Sequence, residues 1–292
     1  MLTVDEQEAA RTLIRTALHE DLRNQRDITS ELMVPEDAQG RIQIVSRKSG
    51  ILAGSALLPV VNEQLGSVME IRAPLPDGSS LQAGTVIAHL EGSVRTLLTA
   101  ERTILNFMTM LSGVATLTHE YVAAVSGTRA KILETRKTLP GLRALQKYAV
   151  RCGGGTNHRI GLYDAILVKD NHLAYYLQQP GNTLANAVRH LRDRAPAGMS
   201  IEFEVDSLDQ LREILPAAPD IVLLDNMSIA ELMEAVHLRD TVASNVLLEA
   251  SGGIQITTVA EIARTGVDHI SVGALTHSAP ALDLGFDWES EG

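Results

Sequence analysis

The sequence contains little that could cross-link the chain. It has one cysteine, Cys152, so no disulfide bond can form within the chain. A lone thiol fits a reducing compartment, and no Cys/His signature of a nucleophile surrounds it. We therefore interpret Cys152 as a packing residue and predict a cytoplasmic protein.

Aromatic residues and positive charge are also scarce. Aromatic residues make up 3% of the chain, which argues against stacking platforms for single-stranded nucleic acid. The net charge of -11 disfavours binding to nucleic acid and to anionic membranes. The longest apolar stretch, ILAGSALLPVV, is too short to cross a bilayer. The N-terminal segment VDEQEAARTLIRTALHEDL predicts an acidic amphipathic helix rather than a signal peptide.

The composition supports a large aliphatic core, since 45% of the 292 residues are hydrophobic. The pattern changes near residue 115, which favours two unequal domains. Before that point, short strands with glycine turns lead into TAERTILNFMTMLSGVATLTHEYVAAV, predicted to be one long helix or a helix pair broken at Gly113. We expect an α+β domain over residues 1–115, with the tail 279–292 packed on it, and a second domain over residues 116–278.

The second domain alternates apolar strand-like runs with helical patterns. The predicted strands cover residues 130–134, 165–169, 200–205, 220–224, 246–250 and 269–272. Strand–helix–strand units at this spacing predict an α/β fold with a parallel sheet, either an open or incomplete barrel or, as the alternative, a doubly wound sheet. The sequence has no GxGxxG or GxxxxGK motif, so nothing favours a dinucleotide or ATP site.

The predicted strands end in charged or glycine residues, as the strands of α/β barrels do at their active sites. In the strand IEFEV, Glu202 and Glu204 share one face, and Glu204 is nearer the C-terminal end. Asp225 ends the next strand, so Glu204 and Asp225 are candidate ligands of Mg²⁺. Salt bridges to Lys or Arg are the equally weighted alternative.

Cations gather around these strand ends although the chain as a whole is acidic. They are Arg136, Lys137, His158, Arg159, Lys169 and His172. Such a concentration indicates a polyanionic small ligand, because arginine and lysine bind carboxylates and phosphates. A solvated basic face is the alternative. Lys169 is also a candidate Schiff-base lysine of an aldolase-type barrel, and His172 a structural histidine.

Two glycine-containing loops follow late strands. Ser251-Gly252-Gly253 follows one strand, and Gly273 follows the next. Loops at this place in a barrel bind phosphate through backbone N–H groups, so we predict a phosphate site here. Ordinary tight turns are the alternative.

Taken together, the motifs resemble the quinolinate phosphoribosyltransferase family. The matching segments are EDLRNQRDITS, TAERTILN, ETRKT with LPGLR, GGGTNHRIGLYDAILVKDNH, EFEVDS, IVLLDN, EASGGI and HISVGALTHS. They occur in the family's order over about residues 20–278, and the charged RNQR segment before Asp27 is the main variation. The resemblance implies an α+β sandwich domain beside an open barrel, and a homodimer in which the partner's first domain completes each active site.

The resemblance also implies a reaction and residue roles. Quinolinate and phosphoribosyl pyrophosphate would give nicotinate mononucleotide, pyrophosphate and CO₂, with Mg²⁺ held by Glu204 and Asp225. The residues implied to surround quinolinate are Arg136, His158, Arg159, Lys169 and, from the partner, Arg102. Those implied to serve the phosphoribosyl substrate are Lys137, Ser251, Gly252, Gly253, Gly273 and His277. Catalytic roles fall to Lys137, Lys169, Glu204 and Asp225.

Other functions remain open on the sequence alone. A related phosphoribosyltransferase could use nicotinate or another pyridine-like acceptor, and Lys169 could serve an aldolase-type lyase. Residues 41–95 could instead form a lipoyl-like carrier module, but no DKA-like lysine motif occurs there.

Overall fold

The structure is a computed structural model that describes residues 1–23 and 25–289. Asn24, within the charged RNQR segment, and residues 290–292, at the end of the predicted tail, lie outside the described residues. The chain forms two compact units. The first comprises Met1–His119, Lys137–Gly154 and Ala274–Gly292, and the second comprises Glu120–Arg136 and Gly155–Gly273. The predicted domain ranges, which divide the chain near residue 115, stay a prediction.

The strands alternate with helices along much of the chain. In chain order they are β1 (Gln39–Ser46), β2 (Gly50–Ile51), β3 (Met69–Arg72), β4 (Ser80–Leu81), β5 (Val86–Ser93), β6 (Lys131–Leu133), β7 (Ile166–Val168), β8 (Ile201–Val205), β9 (Ile221–Asp225), β10 (Leu247–Ser251), β11 (His269–Ser271) and β12 (Leu284–Trp288).

The α-helices are α1 (Val4–Leu22), α2 (Ile28–Met33), α3 (Leu58–Gln64), α4 (Val94–Ala124), α5 (Arg143–Cys152), α6 (Asp170–Tyr176), α7 (Leu184–Arg192), α8 (Leu208–Ile214), α9 (Ile229–Val242), α10 (Val259–Arg264) and α11 (Ala274–His277). Short 3₁₀ helices cover Ser55–Leu57 and Leu215–Ala217. None of the described helices combines the length and the apolar character that a bilayer crossing demands.

The first unit contains an antiparallel sheet with the strand order β12-β1-β5-β3. Helix α1 packs against α3 and α5 through its buried stripe of Ala10, Ile14 and Leu18, as its amphipathic pattern predicts. Helix α4 runs unbroken through Gly113, where a Cβ atom would lie 2.1 Å from the Pro280 carbonyl oxygen. Gly113 therefore permits a close backbone approach and does not break the helix, which settles the choice between one helix and two.

The second unit contains a parallel sheet with the strand order β6-β11-β10-β9-β8-β7. Its strands form because they are short apolar runs that are covered on both faces, as parallel strands require. Helices α7, α8 and α9 each begin at a Thr or Ser whose side chain accepts a backbone hydrogen bond from the first turn. No ladder joins β6 to β7 among the described residues, so the sheet is open there.

The predicted parallel α/β fold with a smaller α+β domain is confirmed. Each predicted strand of the second domain overlaps a strand from β6 to β11, and no end differs by more than one residue. The parallel register places all the C-terminal strand ends on one edge of the sheet, which we call the carboxyl edge. The opposite edge, where the strands begin, is called the amino edge.

Candidate active site

The carboxyl edge gathers most of the predicted site residues that belong to the second unit. Asp225 and Ser251 end neighbouring strands and lie opposite each other in the β9–β10 register. Lys169 follows β7, and Arg136 follows β6 after two further residues. Gly273 follows β11 and ends the second unit. The strand topology therefore brings together residues that are more than a hundred positions apart in sequence.

Lys169 and Glu204 form an ion pair across the ends of β7 and β8. The Lys169 ammonium contacts Glu204 Oε2, and the Glu204 side chain is 15% exposed, compared with 3% for Glu202. This order agrees with the strand alternation, which placed Glu204 nearer the mouth and Glu202 deeper. His172 accepts a hydrogen bond from the Lys169 backbone N–H at 2.9 Å, so it caps α6 as a structural histidine would.

Two carboxylates at this edge have oxygens suited to a hard cation. Lys169 contacts Glu204 Oε2, whereas Glu204 Oε1 accepts no hydrogen bond among the described residues. Asp225 accepts a hydrogen bond from the Asn226 side chain at 2.8 Å and has no Lys or Arg within ion-pair distance in the described part of the chain. Carboxylate oxygens on adjacent strands fit Mg²⁺. Glu204 therefore fits both interpretations of the sequence, because Oε2 makes a salt bridge with Lys169 and Oε1 is available to a cation.

The loop after β10 has a conformation that favours glycine. Gly252 and Gly253 have φ values of 95° and 59°, in the left-handed region. A Cβ atom at Gly252 would lie 2.2 Å from Asn226 Oδ1, so a side chain there would displace the loop after β9. A Cβ atom at Gly253 would have no neighbouring atom within 4 Å. The loop thus leaves space beside exposed backbone, as a phosphate site needs.

The guanidinium groups of Arg136 and Arg159 lie near each other, and neither makes an ion pair with an Asp or Glu of the described residues. Arg136 Nε is buried and has no hydrogen-bond partner among the described residues. Burial and repulsion from Arg136 lower the pKa of Arg159, although Glu202 and Asp164 act in the opposite direction. Arg159 Nη1 donates to the Ala165 carbonyl at 3.3 Å. An unpartnered buried donor beside a second arginine is the signature of an anion site.

His158 lies in a buried cluster behind Arg159. Its Nε2 is 3.2 Å from Glu202 Oε2 and 3.4 Å from Glu249 Oε1. Burial opposes protonation, but the two carboxylates raise the pKa of His158 to about 10. Its Nδ1 accepts the Arg159 backbone N–H at 2.7 Å, so the ring proton that faces the two carboxylates is the one on Nε2.

Burial also raises the pKa of Glu202, with Glu249 adding to the effect and His158 opposing it. The protonation of Glu202 therefore depends on that of His158. These three residues also form a set whose ligand atoms lie close enough together to hold a metal ion.

Sequence reasoning missed several buried residues that organise the site. Glu134 is fully buried and accepts hydrogen bonds from the Asn157 side chain and the His158 backbone N–H, both at 3.0 Å. Glu249 is likewise fully buried, and the Ser271 hydroxyl donates to it. The available signal was an acidic residue within an apolar strand-like run, the same signal that identified Glu202 and Glu204.

Three predicted site residues belong to the first unit. Arg102 lies on α4 with a side chain that is 64% exposed and pairs with Glu101 at 3.2 Å. The Lys137 carbonyl accepts a hydrogen bond from the Thr276 hydroxyl at 2.8 Å, next to His277 on the short helix α11. His277 is exposed and its Nδ1 lies 2.6 Å from the Ser278 hydroxyl. Their roles stay predictions.

Cys152 belongs to the first unit and is half-buried at the end of α5. Burial, with a contribution from the Asp77 charge, raises the pKa of its thiol to about 11. A thiol with such a pKa is a poor nucleophile near neutral pH, which is consistent with the packing interpretation.

Comparison with known proteins gives matches over almost the whole chain. The C-terminal domain of quinolinate phosphoribosyl transferase matches residues 114–287, and its N-terminal domain matches residues 27–112. A curated nicotinate-nucleotide pyrophosphorylase (carboxylating) of Mycobacterium leprae is 47% identical over 98% of this chain and 100% of that protein. A probable nicotinate-nucleotide pyrophosphorylase of Bacillus subtilis is 39% identical over 89% of this chain and 87% of the relative.

A solved structure agrees with this assignment. The nicotinate-nucleotide pyrophosphorylase of Francisella tularensis superimposes with a TM-score of 0.89 at 41% identity, covering 97% of each chain. The same family is indicated by the matches to both family domains, by the full-length relatives and by the shared fold. This chain belongs to the quinolinate phosphoribosyl transferase family.

Proposed function

We propose that this protein transfers the phosphoribosyl group of phosphoribosyl pyrophosphate to quinolinate, with loss of CO₂, in NAD biosynthesis. The products are nicotinate mononucleotide and pyrophosphate. Relatives named for this pyrophosphorylase activity cover the chain almost completely, which supports a shared reaction. The classification is that of a pentosyltransferase, as for the tobacco relatives named decarboxylating quinolinate phosphoribosyltransferases.

The observation that carries the proposal is the arginine pair at the carboxyl edge. Arg136 keeps a buried Nε donor unpartnered among the described residues, and its charge lowers the pKa of Arg159. Two cations that repel each other in a half-buried place are stabilised by an anion between them. Quinolinate carries two adjacent carboxylates and so matches a pair of guanidinium groups better than a monocarboxylate does.

The bond changes follow from the chemistry of the two substrates. The pyridine nitrogen of quinolinate forms a bond to the anomeric carbon while the bond from that carbon to the pyrophosphate oxygen breaks. The transition state has oxocarbenium character, so the Glu204 carboxylate at the mouth of β8 stabilises its positive charge. Lys137 is proposed to offset negative charge on the leaving pyrophosphate.

Decarboxylation follows the transfer because alkylation makes the ring nitrogen cationic. The bond between ring carbon 2 and its carboxyl carbon then breaks. Its electron pair stays on the ring carbon beside the pyridinium nitrogen, and that carbon takes a proton as CO₂ leaves. No organic cofactor is needed, since the pyridinium itself stabilises the electron pair. The chain's task in this step is to hold the ring through Arg136, Arg159 and Lys169.

We propose that Glu204 and Asp225 hold Mg²⁺, for which their available oxygens are suited. When bound, the ion would neutralise charge on the leaving pyrophosphate. The loops at Ser251–Gly253 and Gly273 are proposed to bind the sugar phosphate through backbone N–H groups, because the left-handed glycines open space beside them.

We also propose a homo-oligomer, at least a dimer, in which Arg102 of one chain serves the site of its neighbour. The exposed position of Arg102 on α4 supports this arrangement. Mixing an Arg102→Ala protein with an Arg136→Ala protein tests it, because mixed dimers would contain one site with both arginines. Partial recovery of activity is expected, and no recovery despite subunit exchange would contradict the shared site.

The direct test of the function is an assay of the purified protein with phosphoribosyl pyrophosphate and Mg²⁺, offered quinolinate or nicotinate in parallel. We expect stoichiometric CO₂ and nicotinate mononucleotide from quinolinate only. Turnover of nicotinate alone would overturn the proposal and favour a related transferase with another acceptor.

The aldolase-type alternative finds no support at Lys169. Its amine is held in an ion pair with Glu204, whereas an imine-forming lysine must present a free amine to a carbonyl substrate. Borohydride trapping should therefore leave Lys169 unmodified. The cytoplasmic location and the absence of nucleic-acid and membrane partners stay predictions from composition.

A further inference from the structure

A buried polar cluster lies behind the arginine pair in the second unit. It consists of His158, Glu202, Glu249 and Ser271, which we call the His158 cluster. Glu249 is fully buried, and Glu202 and Ser271 are each 3% exposed. Burying two carboxylates beside each other is costly, so a cluster of this kind needs a compensating role or partner.

The imidazole ring of His158 links this cluster to the backbone of Arg159. On one side, its Nε2 faces Glu202 at 3.2 Å and Glu249 at 3.4 Å. On the other side, its Nδ1 accepts the Arg159 backbone N–H at 2.7 Å. Both ring nitrogens therefore have protein partners, and the ring fixes where the Arg159 backbone lies.

Glu249 is held in the cluster through one of its two carboxylate oxygens. It accepts the Ser271 hydroxyl through the same Oε1 atom that faces His158. Its other oxygen lies 3.9 Å from His269 Nδ1, and burial lowers the pKa of His269. His269 makes no hydrogen bond to Glu249 at that distance, so His158 and Ser271 are the donors that face Glu249 among the described residues.

A third buried carboxylate, Glu134, contacts the backbone of the same turn. Glu134 accepts the His158 backbone N–H and the Asn157 side chain. Residues 157–159 are thus held at the His158 backbone by Glu134 and at the His158 ring by the cluster. Arg159 is presented by a turn whose position is set at two points.

We propose that Glu249 and Ser271 are positioning residues for quinolinate recognition, which act through the His158 ring on the placement of Arg159. The inference rests on the proposed function, since quinolinate is the ligand that Arg159 would bind. A bound metal at His158, Glu202 and Glu249 is the competing reading. It would require His158 to lose the Nε2 proton that now faces two carboxylates.

The experiment measures both substrates separately in Glu249→Gln and Ser271→Ala. The glutamine keeps the size of the side chain but can turn an N–H toward His158. We expect KM for quinolinate to rise about tenfold in Glu249→Gln and about threefold in Ser271→Ala, as for loss of one hydrogen bond. KM for phosphoribosyl pyrophosphate should change less than twofold in both variants.

Asp268→Asn is the matched control, because Asp268 is a largely buried carboxylate of the same unit that pairs with Arg239 at the amino edge. It should lower the melting temperature while leaving KM for quinolinate unchanged. An Arg159→Lys background supplies the second readout. There Glu249→Gln should raise KM for quinolinate much less than tenfold, since both changes act on the same contact.

Several outcomes would overturn the inference. An unchanged KM for quinolinate in Glu249→Gln would do so while wild-type turnover upheld the proposed function. Equal rises in both KM values, or full additivity with Arg159→Lys, would show a general structural role instead. Stoichiometric zinc in the purified wild-type protein would replace it with a metal site. Absence of quinolinate turnover by the wild type would instead remove the proposed function and this inference together.

Discussion

The two edges of the parallel sheet use the same residue types in opposite ways. At the amino edge, the Arg239 side chain is 2% exposed and pairs with Asp268 at 2.7 Å and with Asp240 at 2.6 Å. Asp268 also accepts the Leu248 backbone N–H where β10 begins. At the carboxyl edge, Arg136 makes no ion pair with an Asp or Glu of the described residues, although both arginines keep one buried nitrogen without a hydrogen-bond partner there.

The two edges also differ in the direction in which the pKa of an arginine is shifted, as Arg239 and Arg159 show. Burial would lower the pKa of Arg239, but its hydrogen bonds to Asp268 and Asp240 outweigh burial and raise it. Burial and a second arginine lower the pKa of Arg159. The charge of Arg239 at the amino edge is thus compensated within the fold, whereas Arg136 and Arg159 at the carboxyl edge form the anion site that we propose. This division is typical of parallel α/β barrels.

The largest effect on stability should come from Arg239→Ala. Removing the arginine leaves the largely buried Asp268 without its buried partner, so we expect the free energy of unfolding to fall by about 3–5 kcal/mol. Urea denaturation measures this, and kcat/KM of the folded protein should not change. Arg212→Ala, which removes exposed pairs with Asp209 and Glu234, is the control and should cost less than about 1 kcal/mol.

Arg136→Ala should lower catalytic efficiency without lowering stability. We expect kcat/KM for quinolinate to fall by roughly 30-fold to 150-fold, or about 2–3 kcal/mol of transition-state binding, because a carboxylate loses a charged partner. The free energy of unfolding should stay the same or rise slightly, since repulsion with Arg159 is removed. Unchanged kcat/KM would exclude Arg136 from the site and end the contrast between the edges.

A pair of glycines with the same φ value sharpens the comparison. Gly252 at the carboxyl edge and Gly266 before β11 both have φ of 95°. Alanine at either position should destabilise the protein by about 1 kcal/mol or more, because that backbone conformation is strained for any side chain. Only Gly252→Ala should also raise KM for phosphoribosyl pyrophosphate severalfold. Equal KM values in the two variants would contradict the phosphate-loop assignment.

The smallest expected effect concerns the proposed metal. Asp225→Asn should raise the Mg²⁺ concentration for half-maximal activity by roughly fivefold, which is about 1 kcal/mol of binding. A titration of activity against free Mg²⁺ measures it. Asp209→Asn, which alters an exposed carboxylate on α8, should leave the requirement unchanged. A requirement insensitive to Asp225→Asn would remove this residue from the metal site.

The strands of the second unit were predictable because parallel strands are short, apolar and bounded by polar residues. Alternation placed Glu202 and Glu204 on one face of β8 and their positions along the strand placed Glu204 nearer its C-terminal end, in agreement with its greater exposure. Gly113 shows the limit of local reading. Its pattern allowed a helix break, but the close approach of the Pro280 carbonyl explains the glycine within a continuous helix.

The supporting residues of the site were harder to predict. Glu249 stands between apolar neighbours and Glu134 directly follows an apolar run, but the sequence does not show what either residue bonds. Their partners, Asn157, His158 and Ser271, come from other strands and loops, at separations of 22 residues or more along the chain. Only the sheet register brings such groups within hydrogen-bond distance.

The sequence by itself determined the family, the order of strands and helices and the residue types that carry the chemistry. These are local properties, since hydrophobic period, turn residues and motifs are read within short windows. The tertiary structure decided which charges are compensated. Arg239 and Arg136 are indistinguishable as letters, but one packs against two aspartates and the other lies beside a second arginine. Compensation depends on distances between groups remote in sequence, and folding alone sets those distances.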